Sequence, residues 1–222
     1  MKDNNTKMST PVKIMVDWGG CIFRDSDLFS EICKNSGAGE KHFNGPLSWD
    51  NIRSIGNENF FDTIQDKFFD ISTDYADAID VVSCFCGSKG MSSKTETYVV
   101  YDNKPFLKIN PDMAVAKMAK LFSEKRAKAN GFYFDSDKLA LSKRICATIA
   151  VDDDPRICIA LASVGIKTIL LLRKWNRFFS KKTFNLYVPE HKVNDIYKNI
   201  TIAEDWIEVK QVVESIINSR RQ

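Results

Sequence analysis

The chain has 222 residues, 44% hydrophobic and 27% charged, with a formal net charge of +3. That balance fits one globular domain with a core large enough to stand without disulfides or a structural metal, and it argues against a disordered or fibrous chain. No apolar run approaches bilayer length, so a membrane role has no support.

The six cysteines, Cys21, Cys33, Cys84, Cys86, Cys146 and Cys158, are scattered and mostly sit in apolar runs, with no secretory signal before them. They read as reduced thiols of a cytoplasmic protein. Cys84 and Cys86 form a single C-x-C, and His42 and His191 have no companion at ligand spacing, which argues against a zinc site. Residues 1–80 hold 8 Lys and Arg against 14 Asp and Glu, leaving the remainder basic, an unevenness that ordinary surface variation accounts for.

The first eleven residues are polar and are expected to form a disordered tail. Val12–Val16 is a β-branched, apolar run that stops at Asp17-Trp18-Gly19-Gly20, the pattern of a buried strand ending in a tight turn. From 26 to 76 the apolar residues, among them Leu28, Ile32, Ile52, Ile55, Phe60, Phe61, Ile64, Phe68 and Phe69, are spaced as in helices. This stretch reads as a small α-helical cap inserted after the first strand, with 12–25 and 77–222 forming the core. Ile79–Phe85 and Thr97–Tyr101 read as strands. Asn110-Pro111 opens a helix that Asn130-Gly131 is expected to close.

Ala147–Val151 is another buried strand, and it runs into Asp152-Asp153-Asp154-Pro155. Asp154 is placed to cap a helix from Pro155 to Gly165. A strand at Lys167–Leu172 follows, and an amphipathic helix carrying Trp206, Val209, Val213, Ile216 and Ile217 ends the chain. Strands alternating with helices predict an α/β fold of Rossmann type, a parallel sheet with helices on both faces. Ligands of such sheets bind beyond the carboxyl ends of the strands, where Asp17, Asp152 and Asp153 fall. Carboxylates gathered there repel one another unless a cation lies among them, and hard oxygen donors suit magnesium.

These residues carry a resemblance. KIMVDWGGCIF resembles the first motif of the haloacid dehalogenase superfamily, and TIAVDDDPRICIALASVGIKTILL resembles its fourth, in which an apolar strand ends in paired acids before a helix and a Gly-Ile turn. The likeness spans the Rossmann-like core and leaves the cap without a signature. LLLRKWNR and AEDWIEV are similar to segments of the family's deoxyribonucleotidase-type members.

The resemblance implies a magnesium-dependent phosphohydrolase acting on a small phosphorylated metabolite, nucleotides included, through an aspartyl-phosphate on Asp17. Asp17, the Gly19 carbonyl and Asp152 or Asp153 would hold the ion. Ser83, with Ser88 in reserve, would bind the phosphoryl group from a strand end, and Lys138, fourteen residues before Asp152, would neutralise it, with Lys143 in reserve. Gly20, Trp175, Asn176 and Arg177 would lie at the substrate rim. Arg173, Lys174, Arg177, Lys181 and Lys182, interleaved with Trp175, Phe178 and Phe179, also suit nucleic acid, the weaker reading for one cluster beside an acidic cap.

One position departs from the pattern. The family's phosphatases place a second aspartate two residues after the nucleophile, to protonate the leaving oxygen and then activate water; here that residue is Gly19. Losing such a group costs about 10² to 10⁴ in rate. Three consequences are open. Good leaving groups need less proton donation, or Asp25 or Asp27 substitutes. Alternatively DWGGC is similar to the D-W-A-G-T of phosphonoacetaldehyde hydrolases, C–P hydrolases that use a cap lysine, for which Lys34, Lys41 and Lys67 are available. Or the fold binds a phosphorylated ligand or a protein partner without turnover.

Overall fold

The computed structural model describes residues 10–24, 74–75, 77–86, 95–102, 109–173, 176–177, 179–180, 183–184 and 187–220. Among these are six strands: β1 (Val12–Asp17), β2 (Thr95–Tyr101), β3 (Gly131–Phe134), β4 (Ile149–Asp152), β5 (Lys167–Leu171) and β6 (Ile200–Ala203). Six helices accompany them: α1 (Ala78–Cys84), α2 (Pro111–Glu124), α3 (Lys138–Arg144), α4 (Pro155–Ser163), α5 (Glu190–Tyr197) and α6 (Trp206–Ser219).

Alternation along the strands sorts the helices into two layers. In β1, Ile14 and Val16 face one cluster, which takes in residues of α1, α2 and α6 such as Val82, Met118 and Val213; Met15 faces the other, with Leu141 of α3 and Leu161 of α4. In β5, Ile169 and Leu171 point to the first layer and Leu170 to a third cluster with Cys158 of α4 and Val193 of α5. Both faces are therefore buried, as a parallel sheet requires.

All strand pairings are parallel, and the order is β3-β2-β1-β4-β5-β6. This is the doubly wound order, in which the winding reverses between β1 and β4 and a crevice opens at their carboxyl ends. Asp17 is the last residue of β1 and Asp152 the last of β4, so the two acidic strand ends flank that crevice.

Three expectations are corrected. Ile79–Phe85 lies in α1 and the turn after it, because Ala78, Ile79, Val81, Val82 and Phe85 are buried at helical spacing, and packing overrides the β-branched preference. Asn130-Gly131 starts a strand: α2 stops at Glu124, and Asn130 pairs with Thr97 through its backbone N–H (2.7 Å) and its side-chain Oδ1 (2.7 Å). Strands β3 and β6 and helix α5 were not expected. The cap assigned to 26–76 lies outside the described residues except for Asp74 and Tyr75. Phe23 bridges Asp74, and Tyr75 N–H donates to the Ile22 carbonyl at 2.8 Å, so the described chain resumes beside the point where it leaves.

The helix caps match their sequence signals. Asp154 Oδ1 accepts from Arg156 N at 2.8 Å and Asn110 Oδ1 from Met113 N at 3.1 Å, each ahead of a proline. Burial works against the Asp154 charge, but hydrogen bonds and the charge of Arg156 outweigh it and hold the carboxyl below its ordinary value. The stability it contributes is thus present above the unfolded carboxyl's pKa of about 3.9 and is lost as pH falls toward the lower folded value. Asp154→Ala is expected to cost about 1 kcal/mol at pH 7 and Asp154→Asn less, with the difference between Ala and wild type shrinking as pH falls below about 4 in urea unfolding.

Candidate active site

The turn after β1 is held by contacts of its own. Trp18 N–H extends the sheet ladder to the Val100 carbonyl at 2.7 Å, Gly20 N–H closes on Phe23 O at 2.9 Å, and the Trp18 and Phe23 rings stack at 4.9 Å. Gly20 takes φ +72°, in the left-handed region. A Cβ on it would lie 1.8 Å from Asp153 Oδ2, so glycine is what lets the Asp153 carboxylate rest against the turn.

Arg173, just past β5, fastens the same turn from outside. Its Nε and Nη2 donate to Gly20 O (2.6 Å) and Cys21 O (2.8 Å), and its guanidinium lies 3.8 Å above the Tyr75 ring. Trp206, the first residue of α6, adds a bond from Nε1 to Cys21 O at 3.0 Å. Asn176 is fully buried: its Nδ2 donates to Asp153 O (2.7 Å) and Leu171 O (3.0 Å), and its Oδ1 accepts from Arg173 N (2.6 Å).

The expected carboxylates converge. Lys138, at the start of α3 and 3% exposed, places Nζ 2.8 Å from Asp152 Oδ2 and 2.9 Å from Asp17 Oδ1. The Asp152 contact is a hydrogen bond; the Asp17 contact is an ion pair whose angles fall outside hydrogen-bond geometry. Burial alone would lower the Lys138 pKa, but Asp152, Asp17 and Asp102 outweigh it and hold the ammonium well above its ordinary value. Burial pushes the Asp152 carboxyl up, with Lys138 drawing it back.

The two acids at the end of β4 do different things. Asp152 gives Oδ2 to Lys138 and Oδ1 to the Asp154 N–H at 2.9 Å. Asp153 turns to the β1 side, where one ligand atom from each of Asp17, Asp153 and Cys21 lies within 4.8 Å of the others, all three residues buried. Of the two acids named for a cation, Asp153 is the one beside Asp17. Summed over Asp17, Asp152, Asp153 and Lys138 in their ionised forms, the charge is negative and equal in size to that of one divalent cation.

Other expected residues fall elsewhere. Ser83 is in the last turn of α1, and its Oγ accepts from Lys128 N, which precedes β3; it sits toward the amino ends of the strands, away from Asp17. The carboxyl end of β2 carries Asp102 instead, close enough to Lys138 to act on its charge. Asn176 has both ends of its amide committed to backbone and positions Asp153 from within the fold, so it is no rim residue. Arg173 is spent on the turn, and Phe179 is buried against Phe184, which removes two members of the nucleic-acid cluster. Arg177 and the reserve Lys143 are exposed. Ser88, Trp175, Asp25, Asp27, Lys34, Lys41, Lys67, Lys174, Phe178, Lys181 and Lys182 lie outside the described residues. Cys21, Arg173 and Trp206 were missed as parts of the site; the only sequence signal for Cys21 was its place four residues after Asp17.

The same architecture occurs in solved structures. A haloacid dehalogenase-like family hydrolase from Streptococcus pneumoniae superposes with TM-score 0.55 at 14% identity, covering 93% of this chain and 100% of that one. The chain has the haloacid dehalogenase-like fold. A Thermotoga maritima protein assigned as a beta-phosphoglucomutase gives TM-score 0.53 at 12% identity over 92% of this chain and 99% of its own. A haloacid dehalogenase-like hydrolase from Burkholderia xenovorans LB400 gives 0.53 at 12% over 91% and 96%. No protein-family model and no curated protein matches the sequence. No helix among the described residues is long and apolar enough to cross a membrane.

Gly20→Ala tests the packing of the turn. A left-handed alanine costs about 1–2 kcal/mol, and displacing Asp153 brings the total to about 2–4 kcal/mol, a fall in Tm of about 5–10 °C. An unchanged Tm would mean that Asp153 does not lie against Gly20.

Proposed function

We propose that the protein is a magnesium-dependent phosphohydrolase of haloacid dehalogenase type, acting on small phosphorylated metabolites with good leaving groups, acyl phosphates foremost. The observation that carries this reading is Lys138 Nζ seated between Asp17 and Asp152 at the β1/β4 crevice, with Asp153 beside Asp17. Lys138 lies against one carboxylate oxygen of Asp17, and this carboxylate is the group assigned the in-line attack.

Magnesium fits the donors: the Asp17 and Asp153 carboxylates are hard oxygen ligands, and the resemblance would add the Gly19 carbonyl as a further oxygen donor. Bound there, the ion would offset charge developing on the phosphoryl oxygens. Asp17 attacks phosphorus in line, the P–O bond to the leaving group breaks, and the phosphoryl group passes to Asp17 as a mixed anhydride. Lys138 binds an equatorial phosphoryl oxygen and works against the burial that pushes the Asp152 carboxyl up. Water then attacks phosphorus and releases phosphate and free Asp17.

Gly19 shapes the rates of both halves. No acid stands at that position to protonate an alkoxide, so alkyl phosphates react slowly, while an acyl phosphate expels a carboxylate that needs no proton. No base stands there to activate water either, so the second half is slow and the phosphorylated Asp17 persists. Asp102 acts separately, since a carboxylate at the end of β2 repels a phosphoryl dianion where the family's pattern has a hydroxyl, and so weakens phosphoryl binding.

Gly19 and Asp102 together also support a second reading, a fold that binds a phosphorylated ligand or a protein partner with no turnover. One assay separates the two. Acetyl phosphate and p-nitrophenyl phosphate with magnesium should be hydrolysed with kcat/KM more than about 10² above that of an alkyl phosphate, and Asp17→Asn should abolish it. Gly19→Asp should raise alkyl phosphate turnover by about 10² or more. Turnover that survives in Asp17→Asn contradicts the first reading, and no turnover of acetyl phosphate by wild type favours the second.

A further inference from the structure

The sulfur of Cys21 is the feature that the phosphohydrolase reading leaves unused. Cys21 is fully buried, and its Sγ lies with carboxylate oxygens of Asp17 and Asp153 inside a 4.8 Å span. Two acids and a thiol from two loops that meet at the crevice form a mixed donor set, unlike the C-x-C of Cys84 and Cys86. Magnesium takes oxygen ligands and has no use for the sulfur; zinc and cobalt accept carboxylate oxygen and thiolate together.

The geometry is close to what such an ion needs. With Zn–S near 2.3 Å and Zn–O near 2.1 Å, tetrahedral ligand atoms stand about 3.6 Å apart, so a set already within 4.8 Å closes by small side-chain shifts. The backbone around it is held beforehand. Arg173 and Trp206 both bond the Cys21 carbonyl, Asn176 bonds the Asp153 carbonyl, and Gly20 leaves the room that Asp153 occupies. Asp17, Asp153 and Cys21 fill three tetrahedral positions and leave the fourth for the Gly19 carbonyl or for substrate.

We propose that Cys21 makes the Asp17–Asp153 site a binding site for a thiophilic divalent cation, zinc or cobalt, in competition with magnesium. This rests on the reading of Asp17 and Asp153 as cation ligands and adds a sulfur ligand that selects the metal. On binding, the thiol S–H gives way to an S–metal bond and its proton leaves to solvent.

Cobalt reports the ligand directly, without any assay of activity. Chelator-treated full-length protein is titrated with Co²⁺, and the expected result is one ion per chain with a near-ultraviolet thiolate-to-cobalt band that stoichiometric Zn²⁺ removes. Cys86→Ser should keep the band, and Asp153→Asn and Cys21→Ser should lose it. Cys21→Ser should weaken Zn²⁺ by at least about tenfold while Mg²⁺ affinity, measured by calorimetry, stays within about twofold. Should Cys21→Ser not fold, the wild-type spectrum and Asp153→Asn decide. Cobalt bound with no thiolate band, or a band that survives in Cys21→Ser, overturns the sulfur ligand and leaves the magnesium site standing. Failure of wild type to bind magnesium, cobalt or zinc overturns both.

Discussion

An ammonium group taken out of water loses several kcal/mol of hydration, and only close carboxylates return it. Lys138 is in that position, buried at the first turn of α3 with Asp152 at 2.8 Å and Asp17 at 2.9 Å. The contact ties β1, near the start of the chain, to the consecutive elements α3 and β4 far along it. It also sets the division of labour, because Asp152 spends one oxygen on Lys138 and the other on the Asp154 backbone, which leaves Asp153 to face Asp17. Removing one partner of such a buried pair generally costs about 3–5 kcal/mol, so the cluster is as much part of the fold as of the chemistry.

Around this centre the loop after β1 is held rather than left to adapt. Its carbonyls at Gly20 and Cys21 accept from Arg173 and Trp206, residues from the far end of the chain, and Asn176 holds the loop after β4. A site that must keep carboxylates close against their mutual repulsion needs such support, since unsupported loops would let them spread. The departures at Gly19 and Asp102 leave this support intact. Under the proposed function they bear on proton transfer and on the charge facing a phosphoryl group rather than on whether the site forms.

How much the sequence revealed follows from the range of the forces involved. Asp17, Asp152 and Asp153 were legible because each ends an apolar run before a turn or a cap, a local pattern. Lys138 was legible from the resemblance alone; nothing in its neighbourhood marks it as buried. Ile79–Phe85 misled because β-branched residues suit a strand until a neighbouring helix gives them a surface to pack on. Strand β3 is a four-residue edge strand whose residues are all half-buried, too short and too mixed to show a period. Asn176 looked like a polar rim residue, and only the fold shows its amide bonded to Asp153 across 23 residues. Arg173 looked like part of a basic surface for the same reason: its partners lie 152 and 153 positions away.

The central claim is that Asp17 becomes phosphorylated in a pocket where water is poorly activated. Incubation with acetyl phosphate and magnesium, an acid quench, and borohydride reduction convert an aspartyl-phosphate to homoserine, which peptide mass spectrometry locates. The account predicts a substantial fraction of chains labelled at position 17 and nowhere else. Chains that turn over acetyl phosphate with no label at 17, or with the label at 102, 152 or 153, would contradict it.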